Sequence, residues 1–190
     1  MFFTIGHSNR TLDGFLSLLH SAQIVRLADV RRIPRSGTNP QFNIDTLPDA
    51  IAPSIGYLHI AELGGRRSRR KDVSPATNAF WKNQSFHNYA DYAMGSEFAA
   101  GFSQLLELGR DGHCAIMCAE TLWWRCHRRI ITDYLIARGE TVVHIIDADE
   151  IGAATLTPGA CPQPDGTVAY PDGDSPSART KTRSGGANSD

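Results

Sequence analysis

No stretch of the 190-residue sequence approaches the run of about 18 apolar side chains that a membrane-spanning helix needs, so a membrane span is excluded. A basic leader ahead of an apolar stretch is also missing. The chain opens Met-Phe-Phe-Thr-Ile-Gly-His, so no signal peptide is expected, and the cytoplasm is the expected compartment. Cysteines number four, Cys114, Cys118, Cys126 and Cys161, and follow no compact secreted framework; reduced thiols are expected. Large net charge is lacking too: 19 basic against 20 acidic residues leave −1, which excludes a histone-like coat for a polyanion. Lysine is scarce. Sixteen of the nineteen cations are arginine, whose planar fork suits carboxylate and phosphate.

What is present is enough apolar material for a core, 41% of residues against 21% charged, in a chain of one-domain length. Charge is uneven along it. Residues 1–75 carry ten basic and six acidic side chains, and residues 76–171 carry six and eleven. The basic first part points to an anionic ligand.

Short apolar runs alternate with helical patterns. Strands are expected at Phe2–Gly6, Val25–Val30, Tyr57–Ile60, Cys114–Cys118 and Val142–Ile146. Leu12, Phe15, Leu16 and Leu19 fall at helical spacing. So do Phe98, Phe102, Leu105 and Leu106, with Ser96 placed to cap. A helix over roughly 125–138 would turn Ile130, Ile131, Tyr134 and Leu135 inward and stop at Gly139. A short or broken helix is expected within Asn43–Ile55, because Pro48 and Pro53 interrupt it. This alternation predicts an α/β domain over 1–171. Its sheet would be mainly parallel with helices on both faces, in a Rossmann-like or flavodoxin-like three-layer arrangement. Residues 172–190 hold no large apolar side chain and are expected to be a disordered tail.

Ligands of open parallel sheets bind beyond the carboxyl ends of the strands, so the residues after each strand are the first candidates. The first strand is followed by His7, Ser8, Asn9 and Arg10; the second yields Asp29, Arg31, Arg32, Arg35, Asn39, Gln41 and Asn43. Glu62, Gly64, Gly65 and Arg66 follow the third, and Cys118, Glu120, Arg125, Cys126, His127 and Arg128 the fourth. Cys118, ending a strand before a helix, sits where backbone N–H groups favour a thiolate or bind phosphate. Glu120 is the candidate acid or base, with Asp29 and His127 as further catalytic candidates. His7, Asn9, Arg31, Arg35, Asn39, Gln41, Asn43, Arg66 and Arg125 are the candidate substrate contacts. No metal is expected: no CxxC or HxxxH occurs, and Cys126 and His127, adjacent on the expected helix, would point about 100° apart. No cofactor is called for.

Several segments together resemble a known bacterial and archaeal family. They are Gly6-His7-Ser8-Asn9-Arg10, Asp29-Val30-Arg31, Ile33-Pro34-Arg35, Asn39-Pro40-Gln41-Phe42-Asn43, Glu62-Leu63-Gly64-Gly65-Arg66, Tyr89-Ala90-Asp91-Tyr92, Cys118-Ala119-Glu120 and Arg125-Cys126-His127-Arg128. The family is called domain of unknown function 488, and the resemblance runs from about residue 2 to Pro171. Leu156-Thr157-Pro158 and Tyr170-Pro171 are similar to its closing segment, although Ala154 stands where many relatives have a histidine. The resemblance implies a compact α/β domain with a polar cluster and implies no particular reaction.

Two functional readings follow. In the first, the chain is a Cys- or Glu-dependent transferase or hydrolase acting on a phosphorylated, nucleotide-like or nucleic-acid substrate at the carboxyl edge of the sheet. In the second, it is a non-catalytic nucleic-acid-binding or protein-interaction module that uses the Arg-rich loop 66–71. A third possibility is that arginines and carboxylates form mainly a structural network. The oligomeric state is open.

Overall fold

The computed structural model describes residues 1–173. The expected tail therefore lies, from residue 174 onward, outside the described residues. Among the described residues there are eight strands: β1 (Phe2–Gly6), β2 (Arg26–Asp29), β3 (Gly56–His59), β4 (Cys114–Cys118), β5 (Val142–Asp147), β6 (Glu150–Ala153), β7 (Cys161–Pro162) and β8 (Val168–Ala169). The helices are α1 (Leu12–Ser21), α2 (Leu47–Ile51), α3 (Gln84–Ala93), α4 (Ser96–Leu108) and α5 (Arg128–Ala137). Six strands form one sheet in the order β3-β2-β4-β1-β5-β6, and β7 pairs with β8 in a separate ribbon. The first five strands of the large sheet run parallel; only β6 is antiparallel, against β5.

Alternation along the strands feeds two cores. Phe3, Ile5, Ala115 and Met117 face α1 and α2, meeting Phe15, Leu18, Leu19, Leu47 and Ile51. Phe2, Cys114 and Ile116 face the other way, onto Phe98, Phe102 and Leu105 of α4 and Ile130, Ile131, Tyr134 and Leu135 of α5. Each such large side chain stabilises the fold by about 1.5–3 kcal/mol when fully buried. Because both faces are covered, β1 and β4 read as unbroken apolar runs. The result is the expected three-layer α/β arrangement.

Strand order carries a detail that periodicity does not encode. β4 intervenes between β1 and β2, which are neighbours in the Rossmann and flavodoxin orders. The chain leaving β1 passes through α1 on one face, and the chain leaving β4 passes through α5 on the other. These adjacent strands thus send their connections to opposite faces, and a crevice opens between their carboxyl ends. His7 and Ser8 extend the pairing there, donating to the carbonyls of Cys118 and Ala119 at 3.0 Å each. Gly6 is required by this approach: a Cβ on it would lie 2.2 Å from the Glu120 carbonyl oxygen.

Several boundaries differ from the expectation. The α4 N-cap is Gly95, with Ser96 already the first helical residue. α5 begins at Arg128, because 123–125 form a separate 3-10 turn and Cys126 is extended. Only Leu47–Ile51 of the 43–55 segment is α-helical; Pro48 sits in its first turn, where the missing N–H is no loss. Missing from the sequence reading are α3, whose Asn83 side chain accepts from Ser85 N and Phe86 N, and the β6 edge and β7–β8 ribbon. The closing segment is tied down by Asp133, which accepts from Thr157 N at 2.8 Å and from the Tyr170 hydroxyl at 2.9 Å.

Trp123 lies flat on the buried His144 ring, with centroids 4.0 Å apart, and the Thr4 hydroxyl meets His144 Nδ1 at 2.7 Å. Burial, with a smaller contribution from the Arg128 charge, lowers the His144 pKa from 6.5 to about 4. Between those values the unfolded chain takes up a proton that the folded chain excludes, so stability falls as pH drops from about 6.5 towards 4. His7, also lowered to about 4 chiefly by burial, acts in the same direction. Melting temperatures between pH 7 and 4.5 should decline, with a shallower slope in His144→Phe; an unchanged slope would contradict this account. Gly6→Ala should separately cost about 1–3 kcal/mol in chemical denaturation, as overpacked sites do.

Candidate functional site

The crevice widens into a cleft of about 940 Å³ lined from the ends of β1, β2 and β4, the 64–66 loop and α3. Five arginines, Arg31, Arg32, Arg35, Arg66 and Arg125, reach it against one carboxylate, Glu120. Ile33, Phe86 and Tyr89 supply an apolar wall. Arg66 and Arg125 are exposed, and neither guanidinium has a partner among the described residues. Arg35 pairs with Asp45 at 2.6 Å, and Arg32 donates to the Arg66 carbonyl at 2.8 Å.

Beneath one side lies a buried ion pair. Arg31 follows β2 and folds back on Asp29 with contacts from 2.6 to 3.2 Å, while the Tyr57 hydroxyl donates to the same carboxylate at 2.7 Å. Asp29 is completely buried and outside the cleft lining. Its place is to hold Arg31, which also donates to the Phe42 carbonyl and, at 3.1 Å, to His7 Nε2. His7 Nδ1 donates to the Ser8 carbonyl at 2.9 Å, and burial keeps the ring neutral. His7 is thereby an acceptor that steadies Arg31.

On the other side, the 119–126 loop returns Cys126 to Cys118. Cys126 is extended and His127 is the N-cap of α5, so the two do not share a helix as expected. Their side chains converge. The sulfurs of Cys118 and Cys126 and a ring nitrogen of His127 all lie within 4.8 Å of one another. His127 Nε2 donates to the Val30 carbonyl at 3.0 Å, leaving Nδ1 facing Cys126 Sγ at 3.6 Å. Gly65 permits this: a Cβ there would stand 2.8 Å from His127 Nδ1.

Arg128, the first residue of α5, is fully buried without a carboxylate partner among the described residues. Its Nε donates to Cys126 Sγ at 3.3 Å, its Nη2 donates to the Glu120 carbonyl, and its Nη1 has no partner among the described residues. A lone buried cation is costly, and the Cys126 sulfur is the group placed to offset it as a thiolate. Burial opposes that ionisation. The hydrogen bond from Cys118 and the Arg128 charge outweigh it and hold the Cys126 thiol well below its usual range. Cys118, donating to Cys126 and buried, moves well above that range. The direction of these shifts favours Cys126, which adjoins the α5 N-terminus, over Cys118, which ends β4 a full loop earlier.

The cleft gathers His7, Asn9, Arg31, Arg35, Asn39, Arg66, Cys118, Glu120, Arg125 and His127 from the sequence candidates. Gln41 and Asn43 stay outside it; Gln41 donates to the Arg10 carbonyl and Asn43 accepts from Ser36 N. Glu120 is exposed and accepts from Leu122 N at 3.1 Å. The sequence reading quoted Tyr89 only within the resembling segment Tyr89-Ala90-Asp91-Tyr92 and named neither Phe86 nor Tyr89 as a site residue. Asn83 as a cap, followed by Phe86, Tyr89, Ala90 and Ala93 at helical spacing, was the signal for them.

Arg31 cannot be probed as a pure ligand contact, because truncation strands a buried carboxylate. Arg31→Ala should destabilise the fold by about 3–5 kcal/mol in urea denaturation. Arg66→Ala should stay within about 0.5 kcal/mol, as exposed changes do. Equal stability of the two variants would show that the Asp29–Arg31 pair does not carry this edge.

No curated protein and no solved structure matches the chain. A family model does, over residues 11–135, well over half of the sequence. The matched span runs from the cap of α1 into α5 and so contains Asp29, Arg31, Glu120 and the Cys118–Cys126–His127 cluster. β1 with His7 and the closing segment lie outside it. The chain belongs to the family described as Domain of unknown function DUF488.

Proposed function

We propose that this chain is an enzyme, a transferase or hydrolase, that acts through the Cys126 thiolate on a phosphorylated, nucleotide-like or nucleic-acid substrate. The observation that carries this reading is the buried Arg128 guanidinium, whose Nε donates to the Cys126 sulfur on the floor of an arginine-lined cleft. A thiolate is the nucleophilic form of cysteine, and a neighbouring imidazole with its other nitrogen anchored is a common arrangement for using one. Arg66 and Arg125 are free to engage the anion, with Arg32 and Arg35 at the rim. Asn9 and Asn39 supply neutral hydrogen bonds, and Phe86, Tyr89 and Ile33 offer a surface for an apolar or ring portion. Glu120, two residues from Cys118 and open to solvent, is placed to exchange a proton with the leaving group or the attacking water.

The rival reading, a binding module built on loop 66–71, has less support. Arg67 lies over the Tyr92 ring at 3.8 Å, donates to three backbone carbonyls and meets Glu97 at 3.0 Å. Arg70 pairs with Asp72. Two of the loop's five cations are thus committed to the protein itself.

Iodoacetamide labelling of the chelator-treated protein at neutral pH, read by peptide mass spectrometry, tests the proposal. Cys126 should react faster than Cys118 and faster than Cys114, whose thiol burial pushes up to about 12. Nucleoside monophosphates should slow the reaction at Cys126. In Arg66→Ala and Arg125→Ala that protection should weaken about tenfold or more, the loss of one charge-assisted hydrogen bond. Uniformly slow labelling of all three cysteines, or protection indifferent to both substitutions, would overturn it.

A further inference from the structure

The three groups at the cleft floor also satisfy a demand that a nucleophile alone does not make. A tetrahedral zinc site with Zn–S of about 2.3 Å and Zn–N of about 2.0–2.1 Å has an S···N edge of about 3.6 Å. Cys126 Sγ and His127 Nδ1 stand 3.6 Å apart, and the Cys118 sulfur completes a triangle no wider than 4.8 Å. His127 is oriented as metal-binding histidines usually are, with its second ring N–H donated to a backbone carbonyl, that of Val30. The backbone around these ligands is held from several sides. Cys118 is paired into the sheet through β1, Arg128 fastens the loop before Cys126 by its carbonyl contacts, and Gly65 abuts the imidazole.

We propose that Cys118, Cys126 and His127 bind zinc or another thiophilic divalent cation, with the fourth coordination position open to the cleft, and that the bound ion withdraws Cys126 from nucleophilic attack. The binding stands on the ligand geometry alone; its regulatory consequence rests on the reading of Cys126 as the reacting atom. Two sulfurs and an imidazole select zinc-like ions over magnesium or calcium, which prefer oxygen. On binding, two Zn–S bonds and one Zn–N bond form, and the Cys118 thiol gives up its proton to solvent.

Cobalt(II) added to the chelator-treated full chain should give sulfur-to-cobalt charge-transfer absorption in the near ultraviolet, and zinc should abolish it at one equivalent. Zinc, but not magnesium, should protect Cys126 from iodoacetamide. Cys118→Ser and His127→Gln should each weaken zinc binding at least about tenfold, in line with the loss of a ligand from a three-ligand set. Cys161→Ser, which removes the exposed thiol, should change nothing. Circular dichroism of each variant establishes that it is folded; if either ligand variant is not, the cobalt spectrum of the native chain and the protection of Cys126 decide. Absence of the cobalt band, or zinc affinity unaltered in folded Cys118→Ser and His127→Gln, would overturn the inference. Fast metal-free labelling of Cys126 without a cobalt band would remove the metal site and leave the proposed enzyme intact. Slow metal-free labelling with a normal cobalt band would retain the metal site and remove the nucleophile.

Discussion

The carboxyl edge of the sheet depends on a guanidinium that has no carboxylate partner among the described residues. Arg128 is sealed beneath the loop joining β4 to α5, and its donors pull on the Glu120 and Thr121 carbonyls and on the Cys126 sulfur. A cation in that position fastens an irregular segment that has no ladder of its own. It also demands a negative charge nearby, and among the described residues the Cys126 sulfur is the group in contact that can supply it. One side chain therefore sets both the shape of the loop and the ionisation of the cysteine it presents.

The second buried arginine makes an instructive contrast. Arg31 has its charge balanced by Asp29, with Tyr57 and His7 completing the polar contacts around them. That pair is a satisfied network, and such networks position other groups more than they react. The two arginines stand on opposite flanks of the crevice between β1 and β4. Asp29 balances the charge on one side, while on the other Arg128 donates to the Cys126 sulfur. The exposed Arg66 and Arg125 guanidiniums then add positive charge to the cleft that neither buried group offers to solvent.

Much of the architecture was legible in the sequence because it rests on local periodicity. The five parallel strands and the helices α1, α4 and α5 follow from apolar alternation and helical spacing, and Gly139, with φ of +84°, ends α5 as a left-handed glycine does. The polar residues that cluster after those strands come together around one cleft, since parallel strand ends converge. Elements with weak or mixed patterns escaped. α3 carries polar residues among its aromatics, β6 is an exposed edge, and the β7–β8 ribbon has two residues a strand. The family description covers 11–135, so the resemblance and the strand logic meet over the region that carries the cysteines.

By itself, then, the sequence determined the layers, the edge and the kinds of side chain gathered there: arginines, cysteines, a histidine and a glutamate. Which cysteine has its thiol pKa lowered depends on tertiary structure alone. Cys118 and Cys126 each precede polar residues near a helix start, and spacing cannot rank them. The ranking came from a non-helical turn at 123–125 that swings Cys126 back over Cys118, and from Arg128 packing beneath it. It also came from Val30, far away in sequence, which fixes the His127 ring by one carbonyl. The same separation explains Asp29, a catalytic candidate by position whose oxygens are occupied by Arg31 and Tyr57 once β2 and β3 pair. Ionisation depends on burial and on charges a few ångströms away, and the chain order holds neither.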